Sequence, residues 1–244
     1  MGILMVVSSH FHHRFKYSPL TESRSGWLDK LKQENKLSTD FILFSSSQEA
    51  TEHFLSNQIN TIEGIHSITV VSDITEQAKL DYLKAQFPSV IWYNYSKERP
   101  LGLVLEEVLL KKNCEYVIFA QDTTTIPAYL KSFTSAIYWL EQTHAYSWHG
   151  LINEQNFQLL QAQDVTGKVQ PISLSLDEDK FDSLYAWQLK DSLNYNQWAL
   201  NLALYRKHDL LRLLNDNPQD FEDLSARLTS QALFNKVSIF YKGE

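Results

Sequence analysis

The sequence predicts an α/β fold: a mostly parallel, Rossmann-like sheet with helices on both faces, running into a mixed second half. Three observations predict it. Short β-branched apolar runs recur through the first half and stop at polar residues, segments with helical spacing lie between them, and the rhythm changes after about residue 143. Continuous apolar runs suit strands buried on both faces. Strand alternating with helix is the pattern of a parallel sheet with crossover helices.

The expected strands are Ile3–Val7, Phe41–Phe44 before three serines, Ile68–Val71 before Ser72-Asp73, Val90–Tyr93, and Tyr116–Ala120 before Gln121-Asp122. Thr75–Gln86 is an expected helix, with Pro88 as its stop. Leu101–Lys112 is another: Leu105, Val108 and Leu109 share a face, and Lys111-Lys112 suit the C-terminal dipole. Ile126–Leu140 has apolar residues at the 3, 4, 7 spacing and is expected to be one long helix.

Beyond residue 143, His144–Ile152 and Phe157–Leu160 are expected short strands, and Asp177–Lys180 a charged loop. The apolar stretch Trp198–Tyr205 precedes a helix at His208–Leu214. Asn217-Pro218 is expected to open a further helix reaching Gln231, and Val237–Tyr241 reads as a last strand. With no repeat and no linker, the chain reads as one domain, residues 1–125 forming its first half and 126–244 its second.

The 244 residues carry 22 Lys+Arg against 29 Asp+Glu, a net charge of −7, which argues against nucleic acid as a partner. The 43% hydrophobic content is that of a folded chain. The single cysteine, Cys114, excludes an intrachain disulfide and a cysteine-based zinc site, and its place before a buried strand makes it core. No apolar run reaches the ~20 residues of a membrane span, and the N-terminal apolar run lacks the basic lead of a signal peptide. A cytoplasmic protein is expected. The basic stretch His12–Lys16 is the element that would touch the inner face of a membrane as a peripheral contact. GxxxxGK[ST], GxGxxG and GxSxG are absent, which removes phosphate-loop, dinucleotide-binding and α/β-hydrolase chemistry.

Ligands of open α/β sheets bind beyond the carboxyl ends of the strands. There the sequence puts Ser8, His10 and Arg14, then Ser72 and Asp73, then Lys97 and Arg99, then Gln121 and Asp122. Cations concentrated at one edge of an acidic protein point to an anionic ligand, phosphate above all. An Asp beside it can accept from a ribose or base, or hold a metal that bridges phosphates. Each has a plainer reading: loop cations are often solvated, and Asp122 can cap a turn.

The segments SITVVSD (67–73) and VIWYNYSKERPLGLVLEEVLLKKNCEYVIFAQD (90–122) resemble the nucleotide-binding half of GT-A fold glycosyltransferases. WALNLALYRKHDLLRLLNDNPQDFE (198–222) and FEDLSARLTSQALFNKVSIFY (221–241) are similar to the acceptor-side half of family-2-type bacterial sugar transferases. The resemblance covers most of the chain through short motifs. It implies a single GT-A-like domain that moves a sugar from a nucleotide sugar to a glycan or lipid-linked acceptor in bacterial surface polysaccharide synthesis. Asp73 then matches the Asp that contacts the base, and Asp122 part of the acidic DxD-type motif that holds a divalent cation, Mn²⁺ or Mg²⁺. The sequence reads Gln121-Asp122-Thr123 there, one carboxylate in place of two.

Glycosyl transfer needs a cation for the departing diphosphate, either a metal on Asp122 or side chains such as Arg14, Lys97, Arg99 and Lys207. It also needs a carboxylate for the acceptor proton. The resemblance assigns that base to the first turn of the FED helix, Glu222 first and Asp223 second, where acidic residues also stabilise a helix start with no catalytic role. Trp187, Tyr195 and Trp198 are candidates to stack on a sugar or base. The competing reading is a non-catalytic GT-A-like protein that binds a nucleotide sugar, a glycan or a protein partner, favoured by the incomplete acidic motif.

Overall fold

The computed structural model describes Gly26 and residues 38–143, 145–151, 172–174, 184–188, 199–214, 217–231 and 237–241. The expected strands at 3–7 and 157–160, the loop 177–180, and Ser8, His10 and Arg14 lie outside the described residues. In order, the elements are β1 (Thr39–Ser45), α1 (Gln48–Asn57), a 3-10 turn (Ile59–Thr61), β2 (Ile65–Ser72), α2 (Gln77–Gln86), β3 (Ile91–Asn94), α3 (Leu101–Lys111), β4 (Tyr116–Gln121) and α4 (Thr134–Thr143). They continue with β5 (Ser147–His149), β6 (Ile172–Leu174), β7 (Leu184–Gln188), β8 (Ala203–Arg206), α5 (Lys207–Leu214), α6 (Phe221–Gln231) and β9 (Val237–Tyr241).

Among the described residues, nine strands join one sheet in the order β3-β2-β1-β4-β8-β5-β9-β7-β6. The pairs β3-β2, β2-β1 and β1-β4 are parallel, while β8 runs antiparallel to β4 and β5. The expected α/β architecture is observed: a parallel first half with a mixed second half. From β1 the chain goes to β2 on one side, and β4 later fills the other. The β1/β4 boundary is thus the switch point where open α/β sheets bind ligands.

Alternation along the strands makes two cores. Phe41 and Leu43 of β1, with Ile118 and Ala120 of β4, join Phe54 of α1 and Ile137 and Leu140 of α4. Ile42, Phe44, Val117 and Phe119 face the other way, onto α3, α5 and α6. The period of 2 in the strands puts successive residues on opposite faces. Helix α3 buries Leu101, Gly102, Val104, Leu105, Val108 and Leu109, each large side chain contributing on the order of 1.5–3 kcal/mol.

Two elements differ from expectation. Residues 126–133 are not helical, and α4 begins at Thr134. The backbone there is spent on tertiary bonds: Ile126 N donates to the Gln58 side chain (3.0 Å), and Lys131 O accepts from Glu63 N (2.7 Å). Ile126, Leu130 and Phe133 are buried all the same, so their spacing imitated a helical stripe. Helix α6 begins at Phe221, not at Asn217. Asn217 has φ 51°, outside the helical region. Asp220 supplies the N-cap, accepting from Asp223 N at 2.9 Å.

Candidate functional site

The carboxyl ends of β1, β2, β3 and β4 lie at one edge, and the second half closes over them. Phe221, the first residue of α6, stands edge-on to Phe44 at the end of β1, with ring centroids 5.0 Å apart. The turn before α6 docks on the start of α3, where Leu101 N donates to Gln219 O (3.1 Å) and Gly102 N to Pro218 O (2.7 Å). The first turn of α6 is therefore carried to the ligand edge of the parallel sheet.

Asp73 follows β2 and is exposed. Ser72, fully buried, turns the chain there: its hydroxyl accepts from Ile74 N (3.0 Å), and its carbonyl accepts from Tyr95 N (3.1 Å). Tyr95 is thereby set beside Asp73. Burial, then the carboxylates of Asp73 and Asp220, push the Tyr95 phenol up to about 12. Both carboxylates favour the protonated hydroxyl, which donates toward Asp73. Sequence reasoning passed over Tyr95 and Asp220. The signal for Tyr95 was its place just past a strand end, where Asn94-Tyr95 precedes a turn.

The loop after β3 separates two expected cations. Ser96 and Arg99 close a tight turn through reciprocal backbone bonds of 2.9 and 3.2 Å. Arg99 is committed sideways, paired with Glu107 of α3 and lying over the Tyr93 ring at 5.9 Å. Lys97 at the tip is exposed and has no partner among the described residues. Lys207 is a correction: because β8 runs antiparallel, the residue following it falls at the opposite edge, where its ammonium donates to Lys112 O at 2.7 Å.

Asp122 lies at the switch point, only 4% exposed. Its Oδ2 accepts from Ser46 N (2.7 Å) and Ser47 N (3.1 Å), with the Thr51 hydroxyl 3.1 Å away, and Oδ1 accepts from the Ser46 hydroxyl (3.0 Å). Gln121 ends β4. Its amide donates to the Thr124 hydroxyl, which reaches Asn201 Oδ1 at 3.1 Å and so ties this end to the approach to β8. Among the described residues no group of three or more His, Cys, Asp or Glu could hold a metal ion.

The two candidate bases differ sharply. Asp223 accepts from Arg227 Nε at 2.8 Å and from Gln219 N at 3.0 Å, and this pairing holds its carboxyl below the usual range. It ties the turn before α6 to the second turn of that helix. Glu222 is exposed and has no partner among the described residues. Trp187 lies in β7, while Tyr195 and Trp198 are outside the described residues. Cys114 is buried as expected, its thiol 3.4 Å from the Ser38 hydroxyl and pushed up by burial. No described helix is long and apolar enough to cross a membrane.

No model of a protein family matches the sequence, and no curated protein matches it. Among solved structures, the chain is similar to TarS 1–349 of S. aureus at 16% identity and TM-score 0.46, over 84% of this chain and 58% of that one. It is similar to the mannosyltransferase PcManGT of Pyrobaculum calidifontis, solved with GDP-Man and Mn²⁺, at 13% identity and TM-score 0.48, over 97% and 65%. It is also similar to glucosyl-3-phosphoglycerate synthase of Mycobacterium tuberculosis, at 12% identity and TM-score 0.40, over 89% and 73%. The matches thus span less than two thirds of the length of the first two structures.

Proposed function

We infer that this chain transfers a sugar from a nucleotide sugar to a hydroxyl acceptor, a glycan or its lipid-linked precursor. The observation that carries this reading is the convergence on Tyr95. The turn before α6 is seated on the start of α3, with Gly102 N donating to Pro218 O at 2.7 Å, and the carboxylates of Asp73 after β2 and Asp220 before α6 both raise the Tyr95 phenol past the end of β3, at the sheet edge where such folds take nucleotides. Donor-side and acceptor-side candidates therefore share one site.

Each residue has a task in that chemistry. Asp73, oriented by the Tyr95 hydroxyl, accepts from N–H groups of the nucleobase. Lys97 meets the charge that grows on the leaving diphosphate as the sugar–phosphate bond breaks and its electron pair moves to the phosphate oxygen. Glu222 takes the acceptor's proton as its oxygen bonds to the anomeric carbon. Asp223 holds the turn on which Glu222 stands.

A thermal-shift panel of UDP, GDP, CMP, dTDP and their sugars tests donor binding, since a ligand of the folded state raises the midpoint by mass action. Glu222→Gln is expected to abolish turnover and leave the donor shift intact. Wild-type turnover in Glu222→Gln would overturn the base assignment. The engagement of Asp122 favours a second reading, a non-catalytic nucleotide-sugar binder. A donor-induced shift with no transfer or donor hydrolysis would decide for it.

A further inference from the structure

Three serines, Ser45, Ser46 and Ser47, link β1 to α1, and Ser47 caps the helix by accepting from Ala50 N at 3.2 Å. A helix start with free amides at a switch point is a ready anion site. In this chain the anion is internal. Asp122 takes the amides of Ser46 and Ser47 and the hydroxyl of Ser46. The single proton of Thr51 is shared between Asp122 Oδ2 (3.1 Å) and Ser47 O (2.7 Å), and Ser45 Oγ stands 2.6 Å from Thr51 Oγ1. Behind it, Asp122 N donates to Phe44 O at 3.0 Å. Three donors converge on Oδ2, and the Ser46 hydroxyl reaches Oδ1.

The divalent cation that the family resemblance implies does not fit this residue. A Mg²⁺ or Mn²⁺ ligand must turn a lone pair toward an ion that also keeps waters and phosphates around it. The Oδ2 of Asp122 is saturated by donors, and the residue is 4% exposed. Its neighbours in the motif, Gln121 and Thr123, add no charge to balance the ion.

We propose that Asp122 is a positioning residue, an internal anion that clamps the end of β4 to the start of α1, and that the adjacent donor site works without a divalent ion. The second half of this statement rests on the glycosyl-transfer reading; the first does not. The clamp acts through the Ser46-Ser47 turn, which follows β1 at the switch point. Charge on a leaving diphosphate is then met by side chains, with Lys97 the cation at hand among the described residues.

The test separates the two halves. Mn²⁺ alone is titrated into the full chain at neutral pH, with free Mn²⁺ read by electron paramagnetic resonance. No saturable site is expected for wild type or Asp122→Asn. Without any metal, Asp122→Asn is expected to lower the thermal midpoint by about 5 °C, because the bonds to two amides lose their charge assistance and the new NH2 replaces the acceptor facing the Ser46 hydroxyl. A vacant metal ligand would behave oppositely, its removal leaving the metal-free midpoint unchanged or raised. Should Asp122→Asn fail to fold, Ser46→Ala and Thr51→Val weaken the same clamp and are expected to lower the midpoint by smaller steps. A one-to-one Mn²⁺ site lost in Asp122→Asn overturns the proposal, as does a midpoint that Mn²⁺ raises only in wild type. The donor shift is read in EDTA and in Mn²⁺, and it is expected to agree within about twofold in apparent affinity. A donor that binds only with metal overturns the second half. A nucleotide panel flat under both conditions sinks the glycosyl-transfer reading, and with it the second half, while the Asp122 clamp is judged on the metal-free midpoint.

Discussion

Gly102 and Pro218 are packed so closely that a Cβ on Gly102 would stand 2.5 Å from Pro218 Cδ and 2.7 Å from Pro218 N. The contact joins the start of α3, in the first half of the chain, to the turn that launches α6. A glycine here gives close approach, since its amide must reach the Pro218 carbonyl at 2.7 Å.

Gly102→Ala is therefore expected to push the 217–219 turn off α3. Overpacking against backbone costs about 1–3 kcal/mol, which lowers the midpoint by roughly 2–4 °C per kcal/mol in a chain of this size. Because the turn carries Asp220 and Glu222, turnover falls further than stability alone accounts for. Calorimetry and kcat/KM on the same sample check this; an unchanged midpoint would mean that the turn yields freely.

Asp223 gives a pH signature. Arg227 and the Gln219 amide hold its folded-state carboxyl below 3.8. A depressed carboxyl contributes stability above its unfolded value, lost as pH falls through the lower folded value. The stability difference between wild type and Asp223→Asn is thus expected to be constant from neutral pH down to about 4 and to shrink below it. Urea unfolding of both proteins across that range measures it.

Tyr95 has the opposite sign. Its folded-state value is raised from 10.0 to about 12, so its contribution is complete below 10.0 and is lost as pH rises through about 12. Wild type is expected to lose stability faster than Tyr95→Phe across this window. In Asp73→Asn the Tyr95 phenol should titrate lower than in wild type yet remain above 10.0, because burial is the largest cause of the shift. Difference absorbance of phenolate formation against Tyr95→Phe reads both.

At the opposite edge, Asp40 is fully buried beside Lys112, with Nζ and Oδ1 3.8 Å apart and Ser67 between them, its hydroxyl donating to Asp40 at 2.6 Å. Burial pulls the Lys112 ammonium down. Asp40→Ala strands that charge and is expected to cost about 3–5 kcal/mol. Lys112→Met removes the charge and packs its stem, but leaves Asp40 uncompensated. The double variant Asp40→Leu, Lys112→Met should recover much of the loss. Donor binding is expected to stay unchanged in it, since the pair lies at the far ends of β1 and β4.

Much of the fold was legible in the sequence. The apolar runs at 41–44, 68–71, 90–93 and 116–120 lie in or across the edge of strands β1 to β4; in β1 and β4 burial on both faces demands continuous apolar residues, whereas β3 ends the sheet and leaves Ile91 exposed. Leu101–Lys112 and His208–Leu214 match α3 and α5 to within one residue, for a helical stripe is a local property. Helix α1 went unread: its mean character is polar, and its clearest mark is the Ser47 cap. Residues 126–133 were misread because three buried residues happened to fall at helical spacing. The edge carrying Asp73, Lys97, Gln121 and Asp122 could be located from the strand ends alone.

What each of those residues does was decided by tertiary structure. Residue type and spacing determine which groups are available at the ligand edge, since strand ends follow from local pattern. Partnership depends on residues far apart in the chain. Asp122 is engaged by a turn 75 residues earlier, Lys207 is carried to the far edge by an antiparallel strand and set against Lys112, and the turn before α6 is seated on the start of α3. A carboxylate's chemistry is set by what donates to it and by how much water reaches it, and both are properties of packing that no local stretch of sequence contains.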